Sequence, residues 1–233
     1  MIFSEHDARP EPGVDRAGES GVTIGVLALQ GDVEEHLTML RRCGVNAIRV
    51  RTPEDIGKID GLIIPGGEST TVGKLMERFG LDVAIRNAAA DGKPIFGTCT
   101  GMIVLSREIV DSQQARLGLI DLKVLRNAFG RQVDSFEADL RIPELGPDQE
   151  SHPVRAVFIR APWIESAGLG VQILAAIQDK GVLARQGPIL VSAFHPELTD
   201  DPRIHNYFIR MARESKANRH HPTPKTHHPL TKT

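Results

Sequence analysis

The sequence predicts an α/β fold built on an open, doubly wound, mostly parallel sheet, with helices on both faces and added antiparallel strands. Three observations carry that expectation. From residue 22 to about 109, short apolar runs alternate with helix-compatible segments across short connections, the order of βαβ units. The runs at 22–29, 61–64 and 95–96 are almost uninterrupted in apolar character, as strands covered on both faces are. Beyond residue 119 the texture changes to apolar and polar residues in alternation, the period of half-exposed, antiparallel strands.

Taken in order, residues 1–20 are rich in Glu, Asp, Pro and Gly and read as a disordered leader, with the domain proper expected over 21–216. A strand at 22–29 is followed by Gln30-Gly31-Asp32, where Asp32 can cap a helix that Gly44 stops, with Cys43 packing on that helix. A second strand is expected at 47–50 and a third at 61–64, ending in Pro65-Gly66-Gly67-Glu68-Ser69. Helical patterns occupy 69–78 and 82–91, and a fourth strand delivers Gly97-Thr98-Cys99, after which a helix is expected through 102–109. Strands follow at 119–125, 136–142, 154–160, 171–177, 182–185 and 189–194, then His195-Pro196-Glu197 and a closing helix at 202–214. Residues 217–233 read as a disordered tail rich in His and Pro, whose two His-His pairs nothing holds in ligand geometry.

Composition excludes several classes of function. A formal charge of -2 and an aromatic content of 4% give no basic surface or stacking platform for nucleic acid. No apolar run approaches membrane-spanning length, and the first residues carry no signal-peptide pattern. The 2 cysteines lie far apart and form no C-x-x-C site, so the expected location is the cytoplasm, with neither cofactor nor metal.

The chemistry concentrates at predicted strand ends, where open α/β sheets place their sites. Gly97-Thr98-Cys99-Thr100-Gly101 is G-x-C-x-G, the thiol counterpart of the nucleophile elbow. Taken alone the motif does not decide, because a free cysteine is commonly a small buried hydrophobe. His195 and Glu197 close the last strand and supply what a thiol attacking an amide needs: a base, and a carboxylate to fix its tautomer. Extended backbone between them would send both side chains to one side. Gly66-Gly67 offers backbone N–H groups for an oxyanion, with Thr100 N–H as the second donor. A phosphate loop is excluded, since Gly73-Lys74 is followed by Leu75 and the required upstream glycine is Glu68.

These residues resemble the class I, triad-type glutamine amidotransferases, and more narrowly the glutaminase subunits of pyridoxal 5′-phosphate synthase. The resemblance spans about 22–214; G-x-C-x-G and His195-Pro196-Glu197 mark the wider family. Gly66-Gly67-Glu68-Ser69-Thr70-Thr71, the run F-G-R-Q-V-D-S-F-E at 129–137, and Phe158-Ile159-Arg160-Ala161-Pro162 mark the narrower one. It implies a flavodoxin-like sheet and hydrolysis of L-glutamine to L-glutamate and ammonia through a cysteine thioester. The ammonia would pass to a β/α-barrel synthase subunit that builds pyridoxal 5′-phosphate from ribose 5-phosphate and glyceraldehyde 3-phosphate. By position it makes Cys99 the nucleophile, His195 the acid/base and Glu197 its orienter. Gly67, Glu68, Ser69, Arg126, Ile159 and Arg160 fall on glutamine-contacting positions, and Gly67 and Thr100 on the oxyanion hole. Thr100 stands where the family commonly has alanine, with little effect expected. Two rival readings are a sibling glutaminase feeding another acceptor, such as imidazole glycerol phosphate synthase, and an inactive binding subunit of the same fold.

Overall fold

In the computed structural model, the described residues are 21–126, 128, 135–147 and 151–220. The expected leader 1–20 and residues 221–233 of the expected tail lie outside them. Strand β1 (Thr23–Leu27) leads to helix α1 (Val33–Arg42), which ends at Gly44 in a left-handed conformation (φ +73°) that glycine adopts without strain. Strand β2 (Asn46–Val50) is followed by a short helix α2 (Pro53–Ile56) that the sequence reading passed over. Its signal is present: proline in the first turn, and Asp55 accepting from the N–H of Thr52 at 3.2 Å. Strand β3 (Gly61–Ile64), helices α3 (Ser69–Arg78) and α4 (Leu81–Ala90), and strand β4 (Ile95–Thr98) complete the expected alternation.

The helix expected through 102–109 is shorter. Helix α5 (Thr100–Leu105) gives way to strand β5 (Ser106–Ile109). The Ser106 hydroxyl donates back to the Met102 carbonyl at 2.7 Å, a bond that competes with helix propagation. The next carbonyls, of Val104 and Leu105, accept from the N–H groups of Leu117 and Leu119. Tertiary partners therefore outbid the helical ladder.

Strands β6 (Ile120–Leu125), β7 (Ser135–Leu140), β8 (Val154–Ile159), β9 (Trp163–Ala167), β10 (Gln172–Ile177), β11 (Lys180–Gln186) and β12 (Ile189–Ser192) follow, before helix α6 (Arg203–His220). Strand β9, with Glu165 and Ser166 on its open positions, had no clear apolar period. Helix α6 begins where expected and runs on through the anticipated domain end at 216.

The main sheet has the order β2-β1-β3-β4-β12-β11-β9-β6-β5, with β10 on β11, and β7 and β8 forming a separate antiparallel ribbon. Its first five strands are all parallel, in the 2-1-3-4-5 order of flavodoxin-like sheets with β12 as fifth member. From β12 onward the pairing turns antiparallel, except that β5 and β6 run parallel. The parallel strands are covered on both sides. Phe96 of β4 meets Phe208 of α6 and His205, while an added Cβ at Gly97, one residue on, would strike Gly101 and Leu105 of α5. Helices α1 and α6 thus share one face and α5 lies on the other, which makes the sheet doubly wound.

Candidate active site

Parallel pairing decides where the site forms. Ser192 of β12 pairs with Thr98 of β4, so the chains leaving both strands emerge together, one carrying Cys99 and the other His195. Val26 of β1 pairs with Ile63 of β3, which brings 30–32 and 65–69 to the same edge. Gln30, Gly31, Asp32, Gly67, Glu68, Ser69, Cys99 and His195 accordingly line one cleft of about 450 Å³, closed by Thr100, Ile103, Arg126, Ile159 and Arg160.

Cys99 joins β4 to α5 at φ 47°, ψ −99°, a region disfavoured for any residue with a Cβ. Its N–H donates to the Ser192 carbonyl at 2.8 Å, one of the bonds that hold the strain. Both motif glycines are sterically required. A Cβ at Gly97 would lie 2.5 Å from Gly101, and one at Gly101 only 2.2 Å from the Ile64 carbonyl oxygen. The elbow works because α5 is pressed directly onto β3 and β4.

His195 is buried and is anchored by its own N–H, which donates to the Val157 carbonyl at 2.9 Å. Its Nδ1–H donates to Glu197 Oε1 at 2.8 Å. The backbone between them is not extended as expected: Pro196–Leu198 is a turn of 3₁₀ helix with proline at its start, and the turn brings the two side chains together. A second carboxylate reaches the same nitrogen, Asp32 Oδ2 at 3.3 Å. Asp32 was expected to cap α1; it sits at the cap position but makes no side-chain cap bond and faces His195. Burial opposes the imidazolium, yet the bonds to Asp32, Cys99 and Glu197 outweigh it and raise the His195 pKa well above its ordinary value. Burial pushes the Glu197 carboxyl up, against the pull of the His195 cation.

The opposite wall is wetter. Cys99 Sγ lies 3.8 Å from the carbonyl oxygen of Ile159, at the end of β8, and Arg160 follows with φ 43°. Arg126 donates to Gln114 Oε1 at 2.7 Å, and the Ser69 hydroxyl shares that acceptor at 3.3 Å. Glu68 lines the cleft, but its carboxylate also caps α3, accepting from the N–H groups of Thr70 and Thr71 at 2.9 and 2.7 Å. The Thr71 hydroxyl leads, ahead of the Thr70 N–H, in holding its pKa down to about 2. The glycine loop is pinned from two sides. Gln30 Oε1 accepts from the Glu68 N–H at 2.6 Å, and the Thr100 hydroxyl donates to the Gly67 carbonyl at 2.5 Å. Thr100, expected to be inconsequential, thus ties the loop to the head of α5 through an atom that alanine lacks.

All ten residues anticipated from the sequence are therefore brought together, nine lining one cleft and Glu197 directly behind it. Sequence reasoning missed Gln114, which has no motif around it, and the second role of Asp32. It also missed His36, buried behind Glu197 with Nε2 at 3.4 Å from Glu197 Oε2. Among the described residues, the only cluster with metal-ligand spacing is Asp32, His195 and Glu197, and the mutual bonds of those groups account for it.

The chain is similar to known proteins in sequence and fold. The model of the SNO glutamine amidotransferase family matches residues 26–214. The pyridoxal 5′-phosphate synthase subunit PdxT of Carboxydothermus hydrogenoformans is 59% identical over 186 residues, 80% of this chain and 95% of the relative. The subunit of that name from Pelotomaculum thermopropionicum is 57% identical over 186 residues, 80% and 93% of the two chains. A crystal structure of a glutamine amidotransferase superposes with a TM-score of 0.77 at 49% identity, covering 81% of this chain and 98% of the other. PurLQS from Thermotoga maritima, at 16% identity and a TM-score of 0.58 over 84% and 97% of the two chains, shares the fold alone.

Proposed function

The chain belongs to the SNO glutamine amidotransferase family, and from that premise we propose that it is the glutaminase subunit of a pyridoxal 5′-phosphate synthase. It hydrolyses L-glutamine to L-glutamate and ammonia and passes the ammonia to a β/α-barrel synthase subunit. The observation that carries the reading is the meeting, in one cleft, of the strained Cys99 with a His195 whose Nδ1–H is held by Glu197 at 2.8 Å.

With Nδ1 engaged by carboxylates, the other ring nitrogen of His195 serves Cys99. His195, held protonated by its carboxylate partners, carries the proton that Cys99 gives up, and the sulfur attacks the amide carbon of glutamine. The resulting oxyanion accepts from the N–H groups of Gly67 and Thr100, each such donor being worth roughly a hundredfold to a thousandfold in rate. His195 then returns the proton to the leaving nitrogen, ammonia departs, and the Cys99 thioester remains. Water, deprotonated by the same imidazole, attacks the thioester and releases glutamate. Glu197 fixes the tautomer and stabilises the imidazolium of each half-reaction. Arg126 and Arg160 supply the charge for the α-carboxylate, and Glu68, which remains ionised, for the α-ammonium.

No helix among the described residues is long and apolar enough to cross a membrane. We place the reaction in the cytoplasm on the strength of 2 widely separated, unpaired cysteines. The test is glutamate release by the purified full chain with and without the synthase subunit, coupled to pyridoxal 5′-phosphate formation from ribose 5-phosphate and glyceraldehyde 3-phosphate. Glutamine-dependent cofactor formation is expected. A complex that makes the cofactor from ammonium salts but never from glutamine would overturn the reading.

A further inference from the structure

Behind Glu197, away from the cleft, lies a group of polar side chains that the glutaminase reaction as described does not use. His36 of α1, Thr98 of β4 and His205 of α6 are all fully buried. His36 Nδ1 and His205 Nε2 are 3.0 Å apart, His36 Nε2 is 3.1 Å from Thr98 Oγ1, and the same Nε2 is 3.4 Å from Glu197 Oε2. His205 packs against the edge of Phe96, and among the described residues neither its Nδ1 nor Glu197 Oε2 has a hydrogen-bond partner. Burying polar groups in an apolar core costs free energy unless they bond to one another or do something further.

The protons can be placed. Desolvation leads in lowering both histidines, His205 to about 3, so both are neutral and each carries one N–H. One arrangement has His36 Nδ1–H donating to His205. It leaves a buried orphan N–H at His205 Nδ1 and turns a His36 lone pair toward the carboxylate. The other has His205 Nε2–H donating to His36 Nδ1, so that His36 carries its proton on Nε2, between Thr98 Oγ1 and Glu197 Oε2. Only a lone pair is then left without a partner, and the carboxylate faces an N–H. Orphaned buried N–H groups are rarer than under-used acceptors, and a lone pair beside a carboxylate is repelled, so both considerations select the second arrangement.

We infer that His36, held as its Nε2–H tautomer by His205, turns that N–H toward Glu197 Oε2 and is a positioning residue that sets the orientation and charge of the orienting carboxylate. The inference rests on the glutaminase reading of the site. Glu197 would then be held at both oxygens, Oε1 by the Nδ1–H of His195 and Oε2 by the field of His36. The groups facing the pair are His36 and Asp32 of the α1 end, Cys99 at the head of α5, and His195 and Glu197 themselves; the Glu197 backbone N–H also bonds its carboxylate, and His36 is the group that meets Oε2 from behind.

Two measurements test it. Nitrogen-15 spectra of the full chain, following the His36 and His205 rings through neutral pH, should show both as neutral Nε2–H tautomers; an Nδ1–H tautomer at His36 overturns the proposal without touching activity. Steady-state kinetics of the complex with the synthase subunit give the second readout. His36→Leu should lower kcat about tenfold to a hundredfold, the rate equivalent of one hydrogen bond to a charged group, with KM for glutamine little changed. It should also move the alkaline limb of kcat/KM about one unit to lower pH, because an imidazolium with a less well-supported counter-charge loses its proton sooner. His36→Gln, which can place an amide N–H where Nε2 stood, should recover most of the rate and the limb. A well-folded His36→Leu with wild-type kcat and pH profile defeats the inference, as does a His36→Gln no better than His36→Leu. Should His36→Leu fail to fold, His36→Gln and the tautomer spectra decide. A wild-type complex that hydrolyses no glutamine would instead defeat the functional reading, whatever the tautomer.

Discussion

The two sides of His195 are built by different physics. Behind it, Glu197, His36, Thr98 and His205 are shut off from solvent, and short bonds link His195 to Glu197, His36 to Thr98 and His36 to His205. In front, Glu68 and Arg160 are exposed and the cleft is open to substrate. A dry wall holds charge in a fixed place at the moment the transition state needs it, because nothing there must reorganise. A wet wall recognises a soluble, charged substrate and lets it leave again. Rate should therefore be governed from behind and affinity from the front, and that division can be attacked by mutation.

The largest effect belongs to the atom where the two sides meet. Cys99→Ala should abolish glutamine hydrolysis, leaving the fold in place because the lost atom is small and its site is supported by the Ser192 and glycine contacts. Ammonia release by the folded variant would mean another nucleophile. Glu197→Gln comes next. It replaces the carboxylate that accepts from His195 Nδ1 with an amide that can present the wrong group, and the loss in kcat should reach about a thousandfold or more, with KM little altered. A kcat close to wild type would remove Glu197 from the machinery and with it the claim that the dry side governs rate. From the front, Arg126→Ala should do the reverse, raising KM for glutamine by about tenfold to a hundredfold, as expected for one lost charge-assisted contact, while kcat stays nearly the same. If kcat fell and KM did not, the division would be broken.

The contrast also explains what could be read from the chain alone. The parallel half of the sheet was legible because buried strands are continuous apolar runs, and Gly97 and Gly101 advertise the elbow by a steric demand that no other residue meets. Strand β9 and the helix-to-strand change at Ser106 were not legible, since each depends on partners distant in sequence: β6 for the first, and Leu117 and Leu119 for the second. In the site, 66–69, Cys99, His195 and Glu197 were found by the strand-end rule, and Arg126, Ile159 and Arg160 only through the family resemblance. His36 and Gln114 were not. On α1, His36 looks like any inward-facing position of an amphipathic helix, and its polar neighbours Thr98, Glu197 and His205 all come from 62 or more residues further along the chain. Asp32 carried a local signal that pointed the wrong way: an Asp before a helix reads as a cap, and the nearby imidazole outcompeted the α1 N–H groups for it.

The smallest expected effect tests a residue with two duties. Glu68 lines the cleft, yet its carboxylate accepts from Thr70 N–H, Thr71 N–H and the Thr71 hydroxyl, bonds that cap α3. Those bonds favour the ionised form and bring the pKa down to about 2 from an ordinary value of 4.5. For a carboxyl depressed on folding, the associated stability is present above the unfolded value and is lost as pH falls through the folded one. Glu68→Gln removes the charge while keeping the size, and should cost about 1 kcal/mol at neutral pH, the usual worth of an N-cap, or about 2–4 °C in melting temperature for a domain of this length. The gap between wild type and variant should then narrow as pH is lowered from 4.5 toward 2, because the wild-type carboxyl becomes neutral and loses the same advantage. Thermal melts at several acidic pH values provide the measurement. A gap that stayed constant down to the lowest pH would show that the cap contributes through shape and not through charge. A variant as stable as wild type at neutral pH, but with a raised KM for glutamine, would assign Glu68 wholly to the wet wall.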